Sequence, residues 1–83
     1  MLIMYYFYLA RCADGSLYAG TCVDLQAREA AHNAGKGAKY TRARLPVQFV
    51  YNEPFPTRAD ACRREAEVKR WPKSRKEKLV AGQ

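Results

Sequence analysis

Four groupings of side chains in this sequence have the types and spacing to do chemistry. Arg28 and His32 stand four residues apart, one turn apart on a shared helical face. An arginine fork gives a phosphate two parallel hydrogen bonds and stays charged. An imidazole donates to a phosphate or relays a proton near neutral pH. The same pair also reads as a surface Arg and a partly buried His. Tyr8 and Tyr18 flank an Asp14-Gly15 turn signal, where they are a phenol pair or ordinary sheet aromatics. The stretch from Gly35 to Arg42 joins flexible glycines (Gly35, Gly37) to Lys36, Lys39, Tyr40, Thr41 and Arg42. Cations with an aromatic that stacks on a base suit nucleic acid. The stretch lacks the GxxxxGK[ST] phosphate loop, and it also reads as a solvated loop. Glu65 lies four residues after Ala61 and three before Val68, which puts it on the inward side of a helix. An inward carboxylate is costly unless it binds a cation or pairs with one, so it is a metal ligand or half of a Glu65–Lys69 ion pair. Glu67 projects about 200° away, on the outer side.

The elements that must position these groups follow from the pattern. Leu2–Arg11 is aromatic-rich and strand-like. Leu17–Val23 reads as its return strand. A two-residue turn would put Tyr8 and Tyr18 on opposite faces. A three-residue loop Ala13-Asp14-Gly15, with Gly15 left-handed, pairs Tyr8 with Gly20 and Ala10 with Tyr18 on one face. The three-residue loop is the expectation. Asp24 caps a helix over Leu25–Ala34, and Gly35 stops it. Its apolar stripe reads as Leu25, Ala27, Ala30, Ala31 and Ala34, small enough to lie close on a sheet. Lys36–Arg44 reads as a basic loop punctuated by Pro46. Val47–Glu53 alternates as a third strand, broken by Pro54-Phe55-Pro56. Thr57 caps a helix over Arg58–Arg70, Trp71-Pro72 breaks it, and Lys73–Val80 is a last helix. The order β-β-α-β-α-α makes an α+β fold: a small three-stranded antiparallel sheet flanked by helices. One domain over residues 1–83 is expected.

Charge narrows the partners. The net charge is +7, concentrated where function was read: residues 58–83 carry nine basic and four acidic side chains, and residues 28–44 carry five and one. Such a surface suits a polyanion, nucleic acid before an acidic membrane. At 83 residues the folded chain exposes about 5,000 Å², with room for one modest core and none for a deep cofactor cavity. Three cysteines without a CxxC argue against a disulfide scaffold or zinc, and read as small buried hydrophobes in a reducing, cytoplasmic setting. The apolar N-terminus lacks a basic flank and is too short to span a bilayer; no membrane role is expected.

Taken together, these segments resemble a known family. Tyr6-Phe7-Tyr8 and Tyr18-Ala19-Gly20 are similar to the two motifs that name the GIY-YIG nucleases. Asp24-Leu25, Arg28 and His32-Asn33 follow at the family's spacing. The run His32–Arg42 resembles a segment of its small stand-alone bacterial members, and Arg64-Glu65 with Val68-Lys69 resembles its metal-binding helix. The resemblance implies a GIY-YIG fold and hydrolysis of DNA phosphodiester bonds with one divalent ion, Mg²⁺ or Mn²⁺, on Glu65. It implies Tyr8 or Tyr18 as general base, Tyr8 being the candidate. Arg28 would stabilise transition-state charge and His32 assist proton transfer. Gly20 would allow close approach of substrate, with Lys36, Lys39, Tyr40, Thr41, Arg42 and Lys69 contacting nucleic acid. With no recognition domain in the sequence, structure-selective cutting of single-stranded, flap or branched DNA, as in repair or recombination, is the expected job. DNA is expected before RNA, with no small-molecule cofactor. The same face without turnover would be a nucleic-acid-binding module.

Overall fold

The computed structural model describes residues 3–82. Strand β1 (Tyr5–Arg11) is the centre of a three-stranded antiparallel sheet ordered β2-β1-β3, with β2 (Leu17–Cys22) and β3 (Gln48–Phe55) at the edges. Helix α1 (Leu25–Asn33) and the single turn α2 (Lys39–Arg42) lie between β2 and β3 in sequence; α3 (Arg58–Lys69) and α4 (Lys73–Val80) follow. The expected α+β order holds, with α2 as an addition inside the segment read as a loop.

Side chains alternating along β1 build two cores. Phe7 and Leu9, with Ala19, pack against Val68 of α3, Trp71, and Leu79 and Val80 of α4. Tyr8 and Ala10, with Cys12 and Val47, pack under Leu25 of α1 and against Tyr18, Cys22 and Phe49. The helices thus cover both faces of the sheet, and the folded surface is 5278 Å².

The hairpin register is the one the three-residue loop dictates: Tyr8 opposes Gly20 and Ala10 opposes Tyr18. Cys12 N donates to Ser16 O at 2.9 Å, closing the loop, and Gly15 takes φ +86°, a conformation costly for any residue with a Cβ.

β3 departs from the simple pattern twice. It continues through Pro54 to Phe55 rather than breaking. An edge strand tolerates a residue without an N–H, and β3 has one free edge. It is also bulged: Leu9 pairs with Tyr51 and Ala10 with Phe49, leaving Val50 between them without a partner. Without the extra residue, Phe49 and Tyr51 would share a face. With it, Tyr51 meets Phe7 edge-on and Phe49 stacks on Tyr8 at 4.0 Å between ring centroids.

Helix α1 keeps Leu25 and Ala31 of the expected stripe inward and turns its other alanines out. Ala27, Ala30 and Ala34 are exposed, while Leu25, Arg28, Glu29 and His32 turn toward the sheet. The reason is hydrogen bonding rather than hydrophobicity: Glu29, His32 and Asn33 each meet a partner that a methyl could not supply. Glu29 accepts from Phe49 N at 2.7 Å. Asn33 acts as a strand substitute, accepting from Val47 N at 2.7 Å and donating to Val47 O at 3.0 Å. Replacing Asn33 with Ala strands that N–H on a buried residue, and should cost about 1–3 kcal/mol. Urea unfolding at neutral pH would read this as a lower midpoint at unchanged slope.

On the other face, Arg64 holds Glu53 through two bonds of 2.9 and 3.1 Å, tying α3 to β3, and Tyr51 donates its hydroxyl to the same carboxylate. Burial alone would raise the Glu53 carboxyl. The guanidinium and the phenol outweigh burial and keep it below the ordinary range. The cysteines divide: Cys12 is buried, Cys22 intermediate and Cys62 exposed. Cys62 therefore departs from the expected buried hydrophobe, because its position on α3 falls beside the Ala61–Val68 face rather than on it. Among the described residues, no helix is long and apolar enough to cross a membrane.

Candidate active site

Tyr8, Tyr18 and His32 gather at the β2 edge, and Lys69 reaches the Tyr18 ring from the other layer. β1 supplies Tyr8, β2 supplies Tyr18 and Gly20, and α1 supplies Arg28 and His32. From the far layer, α3 supplies Glu65 and Lys69.

Tyr8 is the centre. Only 1% of its surface is exposed. Its hydroxyl lies 2.8 Å from His32 Nε2, and Phe49 covers one ring face. Gly20 makes room for it: a Cβ there would stand 2.6 Å from Tyr8 Cζ. This corrects the expected role of Gly20, since the space its missing side chain leaves is filled by the protein's own phenol and not by substrate. Burial drives the Tyr8 phenol up to about 12, against the pull of the Arg28 guanidinium beside it.

His32 is fully buried, with 0% exposure. Nδ1 lies 2.8 Å from Thr41 Oγ1 and Nε2 faces Tyr8, so both nitrogens are engaged. Donation to a phosphate, one of the two roles open to it, is excluded; the proton relay remains. Burial lowers the imidazole below its ordinary 6.5, and the Arg28 charge acts in the same direction. The ring is therefore neutral in the folded protein. In an unfolded chain it binds a proton as pH falls through about 6.5. The unfolded state then holds more protons, and the fold loses stability toward acid. The urea midpoint should fall between pH 7 and pH 5, and fall less in His32→Gln.

Arg28 is half-buried and borders a shallow groove with Cys22, Val23, Asp24, Ala27 and Ala31. Among the described residues, no carboxylate forms an ion pair with it. The guanidinium has five N–H donors, so its contact with the Tyr8 hydroxyl leaves others for an anion from outside. Tyr18 is half-buried, meets the His32 ring edge-on at 5.7 Å and stacks beside Tyr40 at 6.0 Å. Lys69 Nζ lies 6.0 Å over the Tyr18 ring.

That lysine links α3 to the site. Its Nζ is 3.4 Å from Glu65 Oε2, so the helical ion pair read from the sequence is present. The contact is longer than a good charge-assisted hydrogen bond, and the Glu65 side chain is 23% exposed. Free lone pairs on a partly exposed carboxylate suit a hard cation. Among the described residues, no three His, Cys, Asp or Glu side chains cluster as a closed metal cage. A lone carboxylate fits Mg²⁺, which keeps most of its water and takes substrate phosphate oxygens.

The basic segment divides. Lys36, Lys39 and Arg42 are exposed, as a nucleic-acid face requires. Tyr40 is 39% exposed, but the Arg44 guanidinium lies 3.8 Å over its ring and Tyr18 stacks beside it, so much of its stacking surface is taken. Thr41 is 0% exposed and cannot touch nucleic acid. Its hydroxyl is used inside, because α2 turns it toward His32. Sequence reasoning missed Phe49 and Arg44, and read Gly37 as a flexible glycine rather than as the seat of the His32 ring. A Cβ on Gly37 would stand 2.7 Å from His32 Cγ and Cε1. The glycine in a segment that otherwise reads as flexible was the available signal.

Residues 4–78 match the GIY-YIG catalytic domain, and the chain belongs to that family of nucleases. It is 53% identical over 76 residues to the UPF0213 protein of Bacillus pumilus, covering 92% of this chain and 78% of that one. It is 47% identical over 77 residues to the UPF0213 protein of Staphylococcus saprophyticus, covering 93% and 94%. The solution structure of the UPF0213 protein BH0048 from Bacillus halodurans superposes with a TM-score of 0.61 at 43% identity, over 95% of this chain and 84% of that one.

Proposed function

We propose that the protein is a divalent-metal-dependent endonuclease that hydrolyses DNA phosphodiester bonds. The observation that supports this reading is a buried phenol bonded to an imidazole beside an arginine without a carboxylate ion pair, with a partly exposed carboxylate linked to them through Lys69.

Each residue has a task. Arg28 binds the scissile phosphate through its fork and stabilises the charge that grows there. Glu65 would hold Mg²⁺ or Mn²⁺, a bound ion supplying Lewis-acid stabilisation of phosphate and leaving oxygen. Tyr8 is the general base. With its phenol near 12, roughly one molecule in 10⁵ carries tyrosinate at pH 7, too few for a preformed base. Tyr8 therefore takes a proton from the attacking water as it passes its own to His32. The new bond joins the water oxygen to phosphorus, the bond to the 3′ oxygen breaks, and solvent protonates the leaving group. Tyr18, partly exposed beside Lys69, contacts the phosphate or the water. Lys36, Lys39, Arg42 and Lys69 hold the flanking backbone, and the small footprint suits single-stranded, flap or branched DNA, as repair or recombination would present.

The test is cleavage of end-labelled single-stranded, duplex and branched DNA, and of RNA, with Mg²⁺, Mn²⁺ or EDTA. Metal-dependent cutting supports the reading, and the preferred substrate defines the selectivity. Binding to every substrate with no cutting would replace it with a nucleic-acid-binding module.

A further inference from the structure

The contact between Tyr8 and His32 has a direction, and a residue outside the pair sets it. Thr41 Oγ1 donates its single proton to the Ala38 carbonyl at 2.9 Å. Toward His32 Nδ1, 2.8 Å away, that hydroxyl can offer only a lone pair, so Nδ1 carries the hydrogen. A neutral imidazole has one N–H. Nε2 is therefore bare, and the Tyr8 hydroxyl 2.8 Å from it is the donor.

We propose that Thr41 is a positioning residue of the nuclease site: it locks His32 in the Nδ1–H tautomer and so keeps Nε2 as the acceptor for the Tyr8 proton. The catalytic part of this assignment rests on the reading of Tyr8 as general base; the tautomer does not. Two further observations support it. Thr41 is completely buried although its neighbours Lys39, Tyr40 and Arg42 are all exposed, so the turn α2 presents this one side chain inward. Gly37, four residues earlier, leaves the space the imidazole occupies. Residues 37–41 thus form a collar: an absent side chain admits the ring, a hydroxyl orients it, and a carbonyl orients the hydroxyl. Among the described residues no buried side-chain polar atom lacks a partner, so the network is fully satisfied as it stands.

Thr41→Val keeps the shape and removes the acceptor; Thr41→Ser keeps the acceptor and removes a methyl. A buried N–H without a partner is costly, so in the valine variant the hydrogen moves to Nε2, the nitrogen that must stay bare. Nitrogen-15 NMR of the His32 ring reads the tautomer without any turnover. Wild type and Thr41→Ser should show Nδ1–H, and Thr41→Val should show Nε2–H. A misplaced tautomer costs up to about 10⁴ in comparable relays. Here kcat on the best DNA substrate should fall about 100-fold or more in Thr41→Val, with KM within about two-fold, and Thr41→Ser should recover most of it. Nε2–H in wild type, a folded Thr41→Val that keeps Nδ1–H, or equal loss in both variants would overturn the assignment. Wild type that cuts nothing would overturn the nuclease reading, and the spectrum alone would then decide whether Thr41 sets the tautomer.

Discussion

Glu65→Gln should abolish metal-dependent cutting, by about 10³-fold or more, while DNA binding in EDTA stays within a few-fold of wild type. The variant keeps the size and the helical position and removes the charge. Lewis-acid stabilisation of a phosphoryl transition state is worth several kcal/mol, and each 1.36 kcal/mol is a factor of ten. Binding persists because Arg28, Lys36, Lys39 and Arg42 lie outside the Glu65–Lys69 pair, and removing the carboxylate leaves Lys69 more available to phosphate. Stability should change little: the Lys69 partner is half-exposed, and such helical pairs contribute only about 0.3–0.5 kcal/mol. The measurement is single-turnover cleavage beside fluorescence anisotropy on the same labelled DNA. Equal loss of cutting and of affinity would remove Glu65 from the metal site and make it a structural residue.

Tyr8→Phe should reduce cleavage by about 10²–10⁴-fold, the range for losing a positioned proton acceptor, and should do so more severely than Tyr18→Phe. The phenylalanine ring keeps the Phe49 stack and the seat over Gly20. It leaves His32 Nε2 without its hydrogen-bond partner, a stability cost of about 1–3 kcal/mol. The pH profile separates Tyr8 from a merely structural phenol. With Tyr8 near 12 and His32 below its ordinary value, the relay is intact while the imidazole is neutral. Wild-type cleavage should therefore fall as pH drops below the His32 pKa and stay level from about pH 7 upward, until the phenol itself ionises. Tyr8→Phe should lose that acid limb. If instead Tyr18→Phe removes it, the two tyrosines exchange roles.

The strands and the hairpin register were legible in the sequence because one glycine at a turn fixes which residues face each other, and the Tyr8–Gly20 pairing follows from arithmetic on position. The last helix, Lys73–Val80, was bounded as expected because Trp71-Pro72 leaves no other start. Helix α1 was placed correctly, but its inward face was read only in part: Leu25 and Ala31 lie inward, while Ala27, Ala30 and Ala34 are exposed. Hydropathy ranks alanine above arginine, glutamate and histidine, and carries no information about a partner 14 or 20 residues away that makes burial of the polar group favourable. The bulge at Val50 was equally hidden, since a single inserted residue leaves the alternation around it looking regular. Thr41 was misread for a related reason: cations on both sides suggested an exposed loop, and only the one-turn helix decides which of four neighbours points inward. Of the five residues proposed for chemistry, Tyr8 and Tyr18 both meet His32, Arg28 lies beside Tyr8, and Glu65 is tied to them only through Lys69. What the sequence could not supply was the depth at which each sits, and with it the difference between a histidine that touches phosphate and one that orients a tyrosine.

The position of β1 has a consequence for how the protein is made. In the finished sheet this aromatic strand is paired on both sides, and the exposed borders carry their own safeguards, Pro54 and the bulge in β3 among them. During synthesis the order is different. The hairpin with β2 can close as soon as residue 22 emerges, but β3 begins at Gln48. Throughout that interval one margin of Tyr5–Ala10, a run with no charge and no proline, is an open template for any other extended chain. Docking of β3 is the step that closes this open margin. The bulge that delivers Phe49 onto Tyr8 lies on the strand that ends this exposure.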